Sequence, residues 1–182
     1  MGENPADRLQ IKEAIQMINR MREAGIIDRY AIGGAVGATF YLEPVRTIDV
    51  DIFIAFPAIE PGAISTLNPI NDYLTKLGCT VEGEYLVIAG WPVQFLASTG
   101  PLLDEAISEA RAFQIEEVVT WVFTAEHLVA IALQTGRAKD KARILQFKEA
   151  GAIDLKVLQE ILDRHSLAGR WTRFEQQFSS EP

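Results

Sequence analysis

Apolar residues along the first third of the chain switch between two periods. Ile11, Ala14, Ile15, Ile18 and Met21 recur at spacings of three and four, which lines them along one side of a helix that Asn4-Pro5 opens and Gly25 ends. The period then shortens. Arg29 to Ile32 reads as a strand, and Ile48 to Ala55 alternates, with Ile48, Val50, Ile52 and Ile54 to one side and Asp49, Asp51 and Phe53 to the other. Between these strands Gly33-Gly34 makes a turn, and Ala35 to Leu42 forms a helix whose extension Pro44 limits.

Downstream, Pro57, Pro61 and Gly62 mark a loop, after which Ile64, Leu67, Ile70, Leu74 and Leu77 return to helical spacing as far as Gly78. Cys79 to Glu82, Tyr85 to Ala89 and Val93 to Leu96 are three short β-type runs joined by glycine turns, and Val118 to Val122 is a further strand. From Thr124, a good N-cap, the pattern is helical. Leu128, Ile131 and Ala132 line one side of the first helix, and Ala138 to Glu149, Asp154 to His165 and Ala168 to Phe178 follow, with Ser179 to Pro182 frayed. The elements predict an α/β chain of the α+β kind. A mixed sheet flanked by helices occupies residues 1–122, and a C-terminal helical segment, residues 123–182, packs on it.

The polar side of the strand from Ile48 to Ala55 adds chemistry to this outline. Asp49 and Asp51 project side by side, roughly 6–7 Å apart. Two such carboxylates repel unless something positive lies between them, and hard oxygen ligands on one face suit Mg²⁺, which completes its shell with substrate phosphates. A solvated strand face has the same alternation, so that reading stands beside the first. Phe53 on the same face and the upstream glycine turn favour a site, because glycines let backbone N–H groups and a helix start approach phosphate.

Length and composition bound the rest. The 182 residues suffice for one core, or for one core plus a small helical appendage, and 48% hydrophobic with 23% charged residues is ordinary globular usage. No apolar run reaches membrane-spanning length and the N-terminus lacks an export pattern, so a cytoplasmic protein without a membrane partner is expected. The single cysteine, Cys79, excludes an intramolecular disulfide and a cysteine-rich metal site, and reads as a buried small residue. A net charge of −8 argues against broad adhesion to nucleic acid. Residues 137 to 148 run the other way, with Arg137, Lys139, Lys141, Arg143 and Lys148 against Asp140. They form either a solvated helix face or a rim that attracts a nucleoside triphosphate or an RNA end. His127 and His165 lack ligand spacing and read as packing or surface residues. Trp91, Trp121 and Trp171 read as core contacts, with Trp91, in a turn beside Gln94, also within reach of a nucleotide.

Gly33-Gly34 at a helix start, followed by Arg46-Thr47-x-Asp49-x-Asp51, resembles the signature of the DNA polymerase beta-like nucleotidyltransferase superfamily, in particular its small prokaryotic members. These include the abortive-infection toxins of type IV toxin-antitoxin systems and the minimal nucleotidyltransferases. Phe123 to Leu133 followed by Gly136-Arg137-Ala138-Lys139-Asp140 is similar to a helical segment with a Lys-Asp pair in those proteins, so the resemblance covers about residues 28 to 165. It implies a nucleotidyltransferase-like sheet and transfer of a nucleoside monophosphate from a triphosphate to an acceptor hydroxyl on RNA, tRNA included, on a protein or on a small molecule. It further implies that Asp49 and Asp51 hold Mg²⁺ or Mn²⁺, and that Gly33, Gly34, Arg46, Thr47 and Lys139 contact the nucleotide, with Asp140 orienting Lys139. A cognate protein partner or a homo-oligomer fits the same group. One departure matters: Gln94 stands where a third carboxylate is expected to serve as ligand and base, and an amide does not accept a proton at neutral pH. Glu82 or Glu84 on the neighbouring hairpin could substitute. Otherwise the chain is a nucleotide- or partner-binding pseudoenzyme of a toxin-antitoxin-like system.

Overall fold

The computed structural model describes residues 5–43, 49–56 and 67–178. Along the chain these form α1 (Pro5–Glu23), β1 (Arg29–Ile32), α2 (Gly34–Ala38), β2 (Val50–Ala55), α3 (Asn68–Lys76), β3 (Thr80–Glu82), β4 (Tyr85–Ile88) and β5 (Trp91–Ala97). They continue with α4 (Pro101–Ser108), β6 (Arg111–Ile115), β7 (Val118–Val122), α5 (Ala125–Thr135), α6 (Ala138–Glu149), α7 (Leu155–Arg164) and α8 (Ala168–Phe178). Asn4, Pro44, Arg46, Thr47 and Ile48, the loop with Pro57, Pro61, Gly62 and Ile64, and Ser179 to Pro182 lie outside the described residues.

One mixed sheet holds all seven described strands in the order β3-β4-β5-β2-β1-β7-β6. β2 lies at its centre, antiparallel to β1 and parallel to β5. Each face of the sheet carries an apolar layer. Val50, Ile52 and Ile54 of β2 join Val93 and Phe95 of β5, with Ala14, Ile15, Ile18 and Met21 of α1 and Ile70 and Leu74 of α3 packed over them. A second layer gathers Ala31, Ala38 and Phe123 with Leu102 and Ala106 of α4 and the inner residues of α5 to α8, and Phe53 and Ala55 of β2 pack against it. The two faces of β2 thus meet different helices, and Asp51 lies on the face turned to the C-terminal ones. The fold class is the mixed α/β arrangement that the hydrophobic periods predict.

Several elements depart from expectation. The helix after the glycine turn ends at Ala38, because the amides of Thr39, Phe40 and Tyr41 bond to carbonyls three residues back and the Thr39 hydroxyl donates to the Val36 carbonyl (2.7 Å). α4 and β6 have no counterpart among the sequence-derived elements. α4 is only eight residues long, too short to show a period, though Pro101 at its first turn marks its start. β6 is a short edge strand that turns only Phe113 and Ile115 to the first apolar layer, too few residues to set a period. In α5, Ala125 to Ala130, Ala132 and Leu133 are all buried, so this helix is enclosed all round instead of presenting one apolar side.

Enclosing α5 brings polar groups inside. His127 is fully buried, its ring bonded to the Thr124 hydroxyl at Nδ1 (2.8 Å) and to Glu105 Oε1 of α4 at Nε2 (3.3 Å). Glu105 also accepts from Arg164 (2.6 Å to Oε1) and His165 (2.8 Å to Oε2) at the end of α7, so one carboxylate ties three helices together. His127 and His165 therefore have the packing role expected of them. Arg164 above all, with both imidazoles, holds the Glu105 carboxyl down at about 2. Burial pushes His127 below its usual 6.5, so the ring is neutral and its hydrogen bond to Glu105 does not require a charge.

Both shifts have the same consequence with acid. A group whose folded pKa is depressed adds stability above its unfolded pKa and loses it as pH falls, so stability declines first below about pH 6.5, where unfolded His127 protonates, and again from about 4.5 towards 2 through Glu105. Thermal melts at stepped pH should show both declines, and Glu105→Gln should remove the lower one while costing about 2 kcal/mol at neutral pH. A variant with unchanged melting temperature would show that the carboxylate does not couple the helices.

Candidate active site

The alternation of β2 orients the site. Its aliphatic residues are buried in the first layer, while Asp51 and Phe53, with Asp49 just before the strand, are half-buried on the opposite face. In the parallel pairing with β5, Asp51 stands directly opposite Gln94. Asp49, Asp51 and Gln94, expected together from the sequence, share one face of the sheet. Arg46 and Thr47 lie outside the described residues.

Gly33 and Gly34 press against that face. The Gly33 amide donates to the Asp51 carbonyl (3.0 Å), which ties the turn to β2. Gly34 has φ +56°, a left-handed backbone that favours glycine, and a Cβ there would overlap the Asp51 carboxylate. A Cβ at Gly33 would overlap the Phe53 ring, which itself packs on Phe123 with centroids 4.9 Å apart. Both glycines are needed because β2 side chains occupy the space that their own would fill.

Burial, and then Asp49 beside it, push the Asp51 carboxyl above its ordinary value, while Lys139, Arg143 and Arg137 pull it back. Lys139 and Arg143 are four residues apart and lie on one face of α6, and Arg137 is its N-cap residue. The cations of α6 and its N-cap therefore lie near enough to Asp51 to stabilise its charged form. Asp140 does not orient Lys139, as the resemblance had implied. It is 3% exposed and accepts from the Arg137 amide (3.2 Å) and Nε (2.8 Å), because an acid at the third helical position reaches back to the N-cap.

The β3–β4 hairpin closes the other side. Gln94 Nε2 donates to Glu84 Oε2 (2.9 Å), and the Tyr85 hydroxyl donates to Asp49 Oδ2 (3.4 Å). Partial burial, and then Glu84 and Asp49, raise the Tyr85 pKa, which keeps the phenol protonated beside the carboxylates. Tyr85 was missed from the sequence, and Arg143 was read only as one member of the basic run of residues 137 to 148. The helical spacing from Lys139 could have pointed to Arg143, whereas only strand pairing brings Tyr85 to Asp49. Trp91 belongs elsewhere: it is the first residue of β5, three positions from Gln94 and so on the other face, packed against the first apolar layer. Its reading as a core contact holds, and the alternative reach to a nucleotide falls.

Two carboxylates on one half-buried face, Asp51 raised by burial and by Asp49 beside it, fit a hard divalent cation. A second group also offers ligand atoms: Glu105, Glu109 and His127 lie with one donor each within 4.8 Å of one another and could hold a metal ion. The Arg164 guanidinium already sits on Glu105 there, so a cation would have to displace a charged partner. The aspartate pair offers carboxylate oxygens on one sheet face outside that network, which suits a hard cation, and is the stronger candidate. Cavities of about 260 and 370 Å³ lie apart from both aspartates, one at Arg22, Tyr30 and Trp121 and one at Gly100, Gln134 and His165.

Set against known families and curated proteins, the chain matches no family model and no curated protein. No described helix is long and apolar enough to cross a membrane.

Gly34→Ala tests the contact on which the site is built. The left-handed backbone alone should cost about 1–3 kcal/mol, measured by urea unfolding, and displacement of Asp51 should weaken Mn²⁺ binding. An alanine variant with unaltered stability and Mn²⁺ affinity would refute the close packing of Gly34 on Asp51.

Proposed function

We propose that the chain is a metal-dependent nucleotidyltransferase, moving a nucleoside monophosphate from a triphosphate to an acceptor hydroxyl on RNA, protein or a small molecule. One observation carries this reading: Asp49 and Asp51 share a half-buried sheet face, and the cations of α6 act on the charge of Asp51. Such transfer requires little besides positioning and charge neutralisation, which is what opposed carboxylates and cations offer. Asp49 and Asp51 would hold Mg²⁺ or Mn²⁺, and the bound ion neutralises charge developing on the transferring phosphoryl group. Lys139, Arg143 and Arg137 take phosphate oxygens, and the guanidiniums suit them in pairs. The Gly33-Gly34 turn, Arg46 and Thr47 complete the nucleotide contacts that the family resemblance implies. With a chain charge of −8, an RNA acceptor is held by its end near α6 and not by broad backbone contact.

A second reading is favoured by Gln94, an amide opposite Asp51 where a proton acceptor would be useful: a pseudoenzyme that binds a metal nucleotide, or a cognate partner in a toxin-antitoxin-like pair, without turnover. Incubation with each nucleoside triphosphate labelled at the α-phosphate, Mg²⁺ or Mn²⁺, and pooled tRNA, protein or small-molecule extract separates the two. Transfer by the wild type is expected, reduced roughly 10²–10³-fold in Asp51→Asn. Lys139→Gln and Arg143→Gln should each raise the nucleotide KM about tenfold, which corresponds to about 1.4 kcal/mol. Asp51-dependent nucleotide binding without any transferred label would replace the first reading by the second.

A further inference from the structure

A transferase must dispose of the proton on its acceptor hydroxyl, and Asp49 and Asp51 are poorly suited to take it. A carboxylate beside a bound cation is held in its ionised form and is a weak base. The cations of α6 cannot accept a proton at all. Gln94, opposite Asp51, is an amide. What the hairpin brings to this place is Glu84, in the turn between β3 and β4, with its Oε2 accepting from Gln94 Nε2 at 2.9 Å. The next residue, Tyr85, reaches Asp49, so the same turn spans from the carboxylate pair to Gln94. Glu84 is solvent-exposed, which gives an accepted proton a route to water.

We propose that Glu84 is the proton acceptor for the incoming hydroxyl and that Gln94 positions it by donating to one of its oxygens; this role rests on the transfer reading above. In the step, the acceptor oxygen forms a bond to the α-phosphorus of the nucleoside triphosphate. The bond from that phosphorus to the bridging oxygen of the β-phosphate breaks, and pyrophosphate leaves with the electron pair. The hydroxyl proton passes to Glu84 and on to solvent. Gln94 is then a positioning residue. The carboxylate it orients comes from a neighbouring hairpin instead of from its own strand.

The test uses the full chain and the labelled triphosphate and acceptor identified by the transfer assay. Nucleotide affinity, single-turnover rate and the pH dependence of that rate are compared for wild type, Glu84→Gln, the double variant Glu84→Gln with Gln94→Glu, and Asp51→Asn. Glu84→Gln is expected to bind nucleotide normally, to slow transfer about 100-fold or more, and to lose the rise in rate with pH that a titrating carboxylate produces. The double variant returns a carboxylate to the place opposite Asp51 and should recover at least about tenfold of the lost rate. Because Glu84 lies in an exposed turn, its substitution leaves the core intact, and unchanged nucleotide affinity verifies this. If Asp51→Asn is inactive while Glu84→Gln keeps the wild-type rate and pH profile, the role of Glu84 falls and the transferase reading stands. A slowed Glu84→Gln with an unaltered pH profile and no recovery in the double variant likewise overturns it. A wild type that transfers no label overturns both.

Discussion

The close approach of Gly34 to Asp51 is the contact on which the candidate site depends. A carboxylate on the central strand of a sheet needs room on its own face, and only a residue without a side chain, in a left-handed backbone, leaves it. The Gly33 amide bound to the Asp51 carbonyl locks turn and strand together, so the acid is positioned by backbone and does not depend on a mobile loop for its place. The start of α2, the aspartate pair and the paired strand β5 are consequences of one another. Moving any of them moves the rest.

Around this contact the charges are arranged by opposition. The carboxylates carry the negative charge on β2, and the cations of α6 act on Asp51 from the C-terminal helices, with Arg137 held in turn by the buried Asp140. This opposition depends on how the C-terminal helices pack, and their packing depends on a different polar centre. Glu105 joins α4, α5 and α7 through Arg164, His165 and His127. Glu126 accepts from the Asp154 amide (2.9 Å) and so fixes the start of α7 on α5. A pair of polar anchors inside a largely apolar layer thus holds α4 and α7 on α5, and α6 packs beside them through Ile144 and Phe147. Buried polar groups of this kind specify one packing, because any other leaves them without partners.

Much of this architecture is legible in the residues themselves, and the reason is local. Strict alternation over Ile48 to Ala55 already assigns Asp49, Asp51 and Phe53 to one face, since a strand has no other way to place side chains two apart. Pairs three and four apart mark α1, α6, α7 and α8, and Thr124 is read as the cap that its bond from the His127 amide makes it. Where local signals fail, the cause is equally physical. A helix buried all round has no apolar side to display, an eight-residue helix has too few turns to show a period, and an edge strand with only Phe113 and Ile115 turned inward is too short to set one.

What the sequence determined by itself is therefore the carboxylate pair, the glycine turn beside it and the elements that carry them, because each rests on the repeat of a single strand or helix. Tertiary structure alone decided the rest. Strand pairing put Gln94 opposite Asp51 and Glu84 against Gln94, although ten residues separate the last two in the chain. Helix packing brought Arg143 and Lys139 near enough to act on the charge of Asp51 and left Asp140 to Arg137. Such neighbours are selected by burial and by the pairing of distant polar groups, and neither leaves a period in the chain to be read.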